Sequence, residues 1–164
     1  MRIKSVLVIP PLAFALVACG GEGTDPTASQ DSGSSTSSTT TIETAEGDAV
    51  TQQTGKDVKA DLPKGFTTYP DATIVANTVT TVGNERQTTI MMDSAAMPAE
   101  IAAHYKDQAE DAGMEITVDL GFEANNSVAA DRASDGLKLT VSASRGPEDE
   151  GTTVMLNIVE GQGG

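Results

Sequence analysis

The chain has 164 residues, with 24 acidic side chains against 10 basic ones and a formal net charge of −14 at pH 7. This acidity argues against nucleic-acid binding, which depends on lysine and arginine neutralising phosphates, and against attraction to an anionic membrane surface. A single cysteine excludes an internal disulfide. With only one cysteine and one histidine, the chain also lacks the several such ligands from which zinc sites are usually built. The length allows one domain of modest size plus a tail.

The first residues have the features of an export signal. Arg2 and Lys4 form a basic start, and an apolar stretch follows from residue 6 to residue 17. This stretch is shorter than the roughly 20 apolar residues that a bilayer-spanning helix needs. A basic start, a short apolar run and small residues at its end are typical of a removable signal. We therefore predict a signal peptide over residues 1–18.

The signal ends in Leu16-Val17-Ala18-Cys19, which resembles the lipobox of bacterial lipoproteins. The resemblance implies that Cys19 becomes the first mature residue and is lipidated, with a diacylglycerol on its sulfur and an acyl chain such as palmitate on its amine. Two or more chains are what stable anchoring requires. The implied location is the cell envelope. Because Gly20 is not aspartate, the implied destination in a Gram-negative cell is the outer membrane, facing the periplasm.

Residues 19–55 begin with this cysteine and are rich in serine and threonine. Ile42 and Val50 are the only large apolar side chains of the segment after its first residue. Such a segment cannot bury enough apolar surface to offset the entropy cost of ordering it. We predict a disordered tether that holds the domain off the membrane. A recognition tail and an O-glycosylated stalk remain the alternatives.

Residues 56–164 are predicted to form a small α+β domain that begins with a β-hairpin. The segment from residue 73 to residue 82 is rich in threonine, valine and isoleucine, which favours a strand. Gly83-Asn84 suits a type II′ turn, and residues 86–92 would return antiparallel.

Residues 94–113 have the pattern of an amphipathic helix. Pro98 suits the first turn, and Gly113 suits the position that ends the helix. The face predicted to pack on the sheet comprises Ile101, Tyr105, Gln108, Ala109 and Ala112. The face predicted to be solvated comprises Glu100, Asp107, Glu110 and Asp111.

Four further strands are predicted at residues 115–122, 128–133, 137–143 and 152–159, the second from the weakest pattern. In the first of them, alternation places Ile116, Val118, Leu120 and Phe122 on the buried face. The order β-β-α-β-β-β-β predicts an antiparallel sheet of about five to six strands with one helix packed on one face.

Three short motifs carry a second resemblance: Tyr69-Pro70-Asp71-Ala72, His104-Tyr105-Lys106 and Ala112-Gly113. With these motifs the domain is similar to a group of small exported bacterial lipoproteins. That resemblance implies an α+β fold and no known chemistry.

His104 is the only histidine, and it flanks the apolar stripe of the helix. A general base or a metal site would need partners, and no serine lies in a strand–turn–helix nucleophile motif. We expect a partly exposed side chain with a pKa near the ordinary value of about 6.5. A soft copper site from Met91, Met92, Met97 and His104 is the alternative to core filling by these methionines.

Acidic side chains near the end of the chain do not have the spacing of an EF-hand calcium loop. They are Asp131, Asp135, Glu148, Asp149 and Glu150. We expect solvated turns there, and no catalytic, cofactor or metal site in the chain.

The sequence therefore predicts a lipoprotein held at the membrane through the lipid on Cys19. Its domain is expected to be a monomeric, non-catalytic interaction or envelope-assembly module with an envelope protein partner. The alternatives are a ligand-binding lipoprotein with a pocket between helix and sheet, around Tyr105, and an unrecognised enzyme.

Overall fold

The computed structural model describes residues 27–31, 37–45, 47–55, 58–146 and 151–161. The predicted signal peptide, its lipobox with Cys19, and residues 147–150 of the predicted acidic loop lie outside this described part. The elements in chain order are β1 (Thr27–Asp31), β2 (Ser37–Glu43), β3 (Ala49–Gly55), β4 (Thr73–Val82), β5 (Glu85–Ser94), α1 (Pro98–Asp111), β6 (Glu115–Gly121), β7 (Asn125–Arg132), β8 (Leu137–Ser144) and β9 (Thr152–Glu160).

The nine described strands form one sheet in the order β1-β2-β3-β4-β5-β9-β8-β7-β6. Every pair of neighbours is antiparallel. After β5 the chain crosses through α1 to the far edge of the sheet at β6. It then returns strand by strand until β9 pairs with β5. The helix lies over β6, β7 and β8.

The predicted α+β class and the order β-β-α-β-β-β-β are confirmed by β4 to β9 with α1. The predicted hairpin, formed by β4 and β5, turns at Gly83, whose φ of +57° suits the first turn position of a type II′ turn. The helix is shorter than predicted because it begins at Pro98 rather than at residue 94. Gly113, with φ of +71°, follows the helix end in the left-handed conformation expected of it.

The described sheet has nine strands rather than the predicted five to six. The additional strands β1, β2 and β3 are formed by residues that were predicted to belong to a disordered tether. β3 pairs with β4 from Ala49 to Thr54, so the sheet extends to the N-terminal side of the predicted boundary at residue 56. The strands are held by backbone pairing and by hydroxyl contacts, such as Thr41 Oγ1 to Thr51 Oγ1 at 3.2 Å. Pairing along an existing sheet edge supplies order that apolar burial could not, because threonine favours strands.

The core lies between α1 and one face of the sheet, which we call the helix-side face. The helix contributes Ile101, Tyr105 and Ala109, all fully buried. The central strands contribute Ile90, Met92, Leu139, Val141, Val154, Leu156 and Ile158. The predicted solvated positions of the helix are exposed. Its amphipathic orientation is therefore as predicted.

Strand β6 differs from the predicted pattern. Ile116 pairs with the buried Ala130 and packs against the core. The register then shifts, so that Val118 pairs with Ala129 instead. This β-bulge turns Val118 and the residues that alternate with it to the opposite, open face. Leu120 is 55% exposed and Phe122 is 70% exposed, so their prediction as buried residues is wrong.

Arg132 ties the end of the helix to the sheet. Its guanidinium donates to the carbonyl oxygen of Ala112 at the helix C-terminus and lies 2.7 Å from Asp135 Oδ2. A cation near the last carbonyls of a helix is stabilised by the helix dipole. The hydrogen bonds from Arg132 lower the pKa of Asp135.

Candidate functional site

A polar cavity lies on the helix-side face, beyond the area covered by α1. We call it the β3–β4 cavity. It has a volume of about 230 Å³ and is lined by Thr51, Gln53, Lys59, Ala60, Asp61, Asn77 and Val79. Strands β3 and β4 form its wall, and the segment that leads from β3 to β4 covers one side. Its lining includes the buried side chain of Asn77.

Asn77 is 2% exposed, although it is a polar residue in a strand. Its Nδ2 donates to the carbonyl oxygen of Lys59 at 2.9 Å. This contact fixes the amide orientation, because a carbonyl oxygen can only accept. Among the described residues Oδ1 then has no donor. Most buried polar atoms in proteins have a hydrogen-bond partner, so this buried acceptor is an exception among the described residues.

The charged side chains at the rim of the cavity differ in their ion pairs. Asp61 Oδ2 lies 2.6 Å from the guanidinium of Arg86, which also contacts Glu160 Oε2 at 2.8 Å. Lys59 is exposed and forms no ion pair with any described residue. With Glu160 included, two basic and two acidic groups lie at this rim, so their formal charges balance.

His104 joins a second polar cluster, between the helix and the segment that precedes β4. Gln108 accepts a hydrogen bond from the backbone N–H of Thr67 through Oε1, at 2.9 Å. Its Nε2 therefore faces His104 Nε2, at 2.6 Å. Because the amide nitrogen only donates, the histidine must accept at Nε2 and is neutral. The rings of Tyr69 and Tyr105 lie edge-on to the imidazole, each with its centroid 5.1 Å away.

This environment lowers the pKa of His104 below its ordinary value, chiefly through burial, with Asp107 opposing the shift. The prediction that His104 keeps its ordinary pKa is therefore wrong, because its pKa is lowered. The unfolded chain then binds the proton more readily than the folded chain. Stability should be fully present above about pH 6.5 and should fall as the pH decreases from there towards the folded pKa.

We expect the urea concentration at the unfolding midpoint to decrease as the pH is lowered from about 7 to about 5. His104→Phe should remove the part of this decrease that comes from protonation of the imidazole. The phenyl ring keeps an edge towards Tyr69 and Tyr105 but cannot take a proton. Urea unfolding of both proteins across this range is the measurement. Asp107→Asn is the matched control, since it removes the nearby charge and keeps the titrating imidazole. If the midpoint of His104→Phe depended on pH as strongly as that of the wild type, groups other than His104 would be the cause.

Tyr105, around which the alternative prediction placed a pocket between helix and sheet, packs in the core. It is fully buried and belongs to the core. Its hydroxyl accepts a hydrogen bond from the backbone N–H of Tyr69 at 3.0 Å and lies 3.9 Å from Met92 Sδ. Burial raises the pKa of Tyr105 to about 12.

The structure separates the residues of the alternative copper site. Met92 is buried in the core, whereas Met91 projects from the open face of β5 and Met97 precedes the helix. Neighbouring residues on a strand point to opposite faces, so Met91 and Met92 cannot serve one site. Met97 Sδ contacts the guanidinium of Arg145 instead.

Of the acidic side chains near the end of the chain, the structure describes only Asp131 and Asp135. Asp135 is engaged by Arg132, and Asp131 is exposed on β7. In the part of the chain that the structure describes, no three His, Cys, Asp or Glu side chains are grouped so as to hold a metal ion. No helix among the described residues is long and apolar enough to cross a bilayer.

The sequence reasoning missed the β3–β4 cavity. Thr51 and Gln53 fall in the segment predicted as a tether, and Lys59 lies in an irregular connection. One signal was available: asparagine is depleted in strands, and Asn77 interrupts an otherwise β-favouring run in β4.

Comparison with known proteins gives one similarity. A family model described as START domain-like matches residues 74–153, which span most of β4, the helix, and the strands up to the start of β9. No curated protein and no solved structure matches the chain. The matched region contains Asn77 and the helix, whereas β1 to β3 lie outside it.

Proposed function

We propose that this chain is a lipid-anchored bacterial lipoprotein whose sheet-and-helix domain is a non-catalytic binding module. The observation that carries the binding role is the START domain-like match across β4 to β8 and α1, which favours a ligand-binding domain. The β3–β4 cavity beside this region supplies a place for a small ligand. The anchoring rests on the sequence Leu16-Val17-Ala18-Cys19 alone.

A non-catalytic role is supported by the contacts of His104. A general base must reach the proton that it abstracts, and the Nε2 atom of His104 is occupied by the amide of Gln108. The ring is also flanked by two tyrosine rings, each packed against it edge-on. We therefore place function in binding and not in hydrolysis.

Cys19→Ser should abolish lipid attachment, because a hydroxyl does not replace the thiol that the lipoprotein chemistry modifies. The measurement is incorporation of labelled palmitate into the protein in bacterial cells, followed by separation of membrane and soluble fractions. We expect label and membrane association in the wild type, and neither in the variant. Ser29→Ala, outside the lipobox, is the control and should keep both. A labelled Cys19→Ser protein would refute the lipoprotein proposal.

An envelope protein partner is the second candidate role, and β6 favours it. This strand is one edge of the sheet that the described strands form, with Val118 and Leu120 exposed along it and Phe122 exposed just after it. An unpaired edge with apolar side chains on one face suits the addition of a partner strand. If this role holds, replacing Leu120 and Phe122 by lysine should abolish partner capture without affecting ligand binding.

A further inference from the structure

We propose that the open face of the sheet, on the side opposite α1, contacts the surface of the bilayer that holds the lipid of Cys19. The inference rests on the proposed lipid anchor and names the surface of the domain that faces the membrane. Its three supports are the composition of the open face, the charge on the exposed side of α1, and the short length of chain between Cys19 and β1.

The middle of the open face carries no charge. A row of register partners crosses it through Met91, Met155, Ser142, Ser127 and Leu120. The neighbouring row, which runs from Thr89 on β5 to Val118 on β6, is uncharged as well. Charged residues of this face, such as Asp93 and Lys138, lie near the strand ends. In a chain where 21% of the residues are charged, two adjacent uncharged rows make this face compatible with a lipid surface.

Exposed apolar side chains lie on the same face. Met91 and Met155 are register partners at its centre and are 38% and 48% exposed. Ile42 and Val50 are register partners nearer to β1, and both are exposed too. Val50 precedes Thr51, which lines the cavity on the helix-side face, so Val50 projects from the open face. Exposed apolar patches mark contacts with proteins or membranes, and the lipid anchor favours the membrane.

The helix-side face is unsuited to a lipid surface. The exposed side of α1 carries Glu100, Asp107, Glu110 and Asp111. None of these carboxylates forms an ion pair with another described residue. Lys106 on the same helix lies 2.5 Å from Asp119, so its charge is already compensated. With this side in water and the uncharged face towards the lipid, no carboxylate of α1 has to leave water.

The chain before β1 keeps the domain close to the membrane. Cys19 lies eight residues before Thr27, where β1 begins. Eight residues span at most about 29 Å. Nine strands with about 4.8 Å between neighbours make a sheet about 40 Å wide. The anchor therefore holds the β1 edge within less than one sheet width of the bilayer, which is close enough for a face of the sheet to meet it.

The partner role considered for β6 is compatible with this orientation. Strand addition uses the backbone groups along the edge of the sheet, whereas the bilayer contact uses its open face. The β6 edge therefore remains accessible from the side when the open face lies on the membrane.

The test is quenching of a fluorescent label by lipids that carry a nitroxide on the headgroup, in vesicles of phosphatidylcholine and phosphatidylglycerol in equal parts. In the lipidated full-length protein the sulfur of Cys19 is occupied, so an introduced cysteine is the only reactive thiol. Ser142→Cys places the label on the open face of β8, and Ala103→Cys places it on the exposed side of α1, which packs over β8. We expect the label at position 142 to be quenched at least twofold more strongly.

Equal quenching at the two positions, or stronger quenching at position 103, would overturn the proposal. Equally weak quenching is the result expected if a protein partner or a second copy of the chain covers the open face. Fatty-acid labelling at Cys19 separates the two proposals. A protein without the fatty acid refutes the anchor and the orientation together, whereas a lipidated protein with equal quenching refutes the orientation alone.

Charge variants locate the contact. Met91→Glu combined with Thr140→Glu puts two carboxylates into the uncharged rows and should reduce the quenching at position 142 to the value at position 103. Ala99→Glu combined with Ala103→Glu adds the same charge to the exposed side of α1 and should leave the quenching at position 142 unchanged. All four residues are exposed, so we expect both variants to keep the cooperative thermal unfolding of the domain. If the open-face variant is quenched as strongly as the protein without these charges, the assignment of the face is wrong.

Discussion

Replacing Tyr105 by alanine should lower the free energy of unfolding by about 3–5 kcal/mol, the range for truncation of a large buried aromatic side chain. The ring is fully buried between α1 and the central strands and packs among core residues that include Met92. Its removal leaves a cavity that the surrounding strands cannot close, and it also leaves the Tyr69 amide without an acceptor. Equilibrium unfolding in urea is the measurement.

Two variants divide this effect. Tyr105→Phe keeps the ring and removes the acceptor for the Tyr69 N–H, so we expect a smaller loss of about 1–3 kcal/mol. Asp107→Ala, on the exposed face of the same helix, should change stability by less than about 0.5 kcal/mol. If Tyr105→Ala and Asp107→Ala had equal effects, the orientation of the helix would be wrong.

Leu156→Ala should cost about 2–5 kcal/mol, because the side chain is fully buried on the central strand β9. Leu156 is flanked by Ile90 on β5 and Val141 on β8, which are its register partners. A strand at the centre of a sheet has neighbours on both sides, so the cavity is surrounded by ordered backbone and collapses poorly. The measurement is again urea unfolding.

Met155→Ala is the matched control for Leu156→Ala. Met155 is the preceding residue on the same strand, and it is 48% exposed on the open face. We expect its truncation to cost less than about 0.5 kcal/mol, as for other surface changes. A large effect of Met155→Ala would mean that a partner or another segment covers the open face.

The parts of the fold that the sequence predicts best are those where periodicity and burial agree. In β8 the alternation of Leu137, Leu139, Val141 and Ala143 matches the observed burial at each position. In β6 the same reasoning fails after Ile116, because a bulge shifts the register and the pattern carries no sign of it. Periodicity reports which side chains could share a face, and it does not report where the backbone changes phase.

The strands before residue 56 were not predictable from apolar burial. Ile42 and Val50 are exposed, so β2 and β3 add little to the core. Their order comes from pairing with β4, and a polar strand that pairs with an existing edge resembles a polar linker in composition. The candidate site was hidden for the same reason, because Thr51 and Gln53 become wall residues only when β3 is placed beside β4.

The position of β9 has a consequence for how the chain folds. This strand follows all the other described strands in sequence, yet it lies between β5 and β8 at the middle of the sheet. Until it is inserted, the hairpin of β4 and β5 and the meander of β6 to β8 are two separate pieces joined only through α1. Closing the sheet therefore depends on contacts between residues far apart in sequence, which form slowly. Under the proposed export, this delay would keep the chain incompletely folded until the residues of β9 are available.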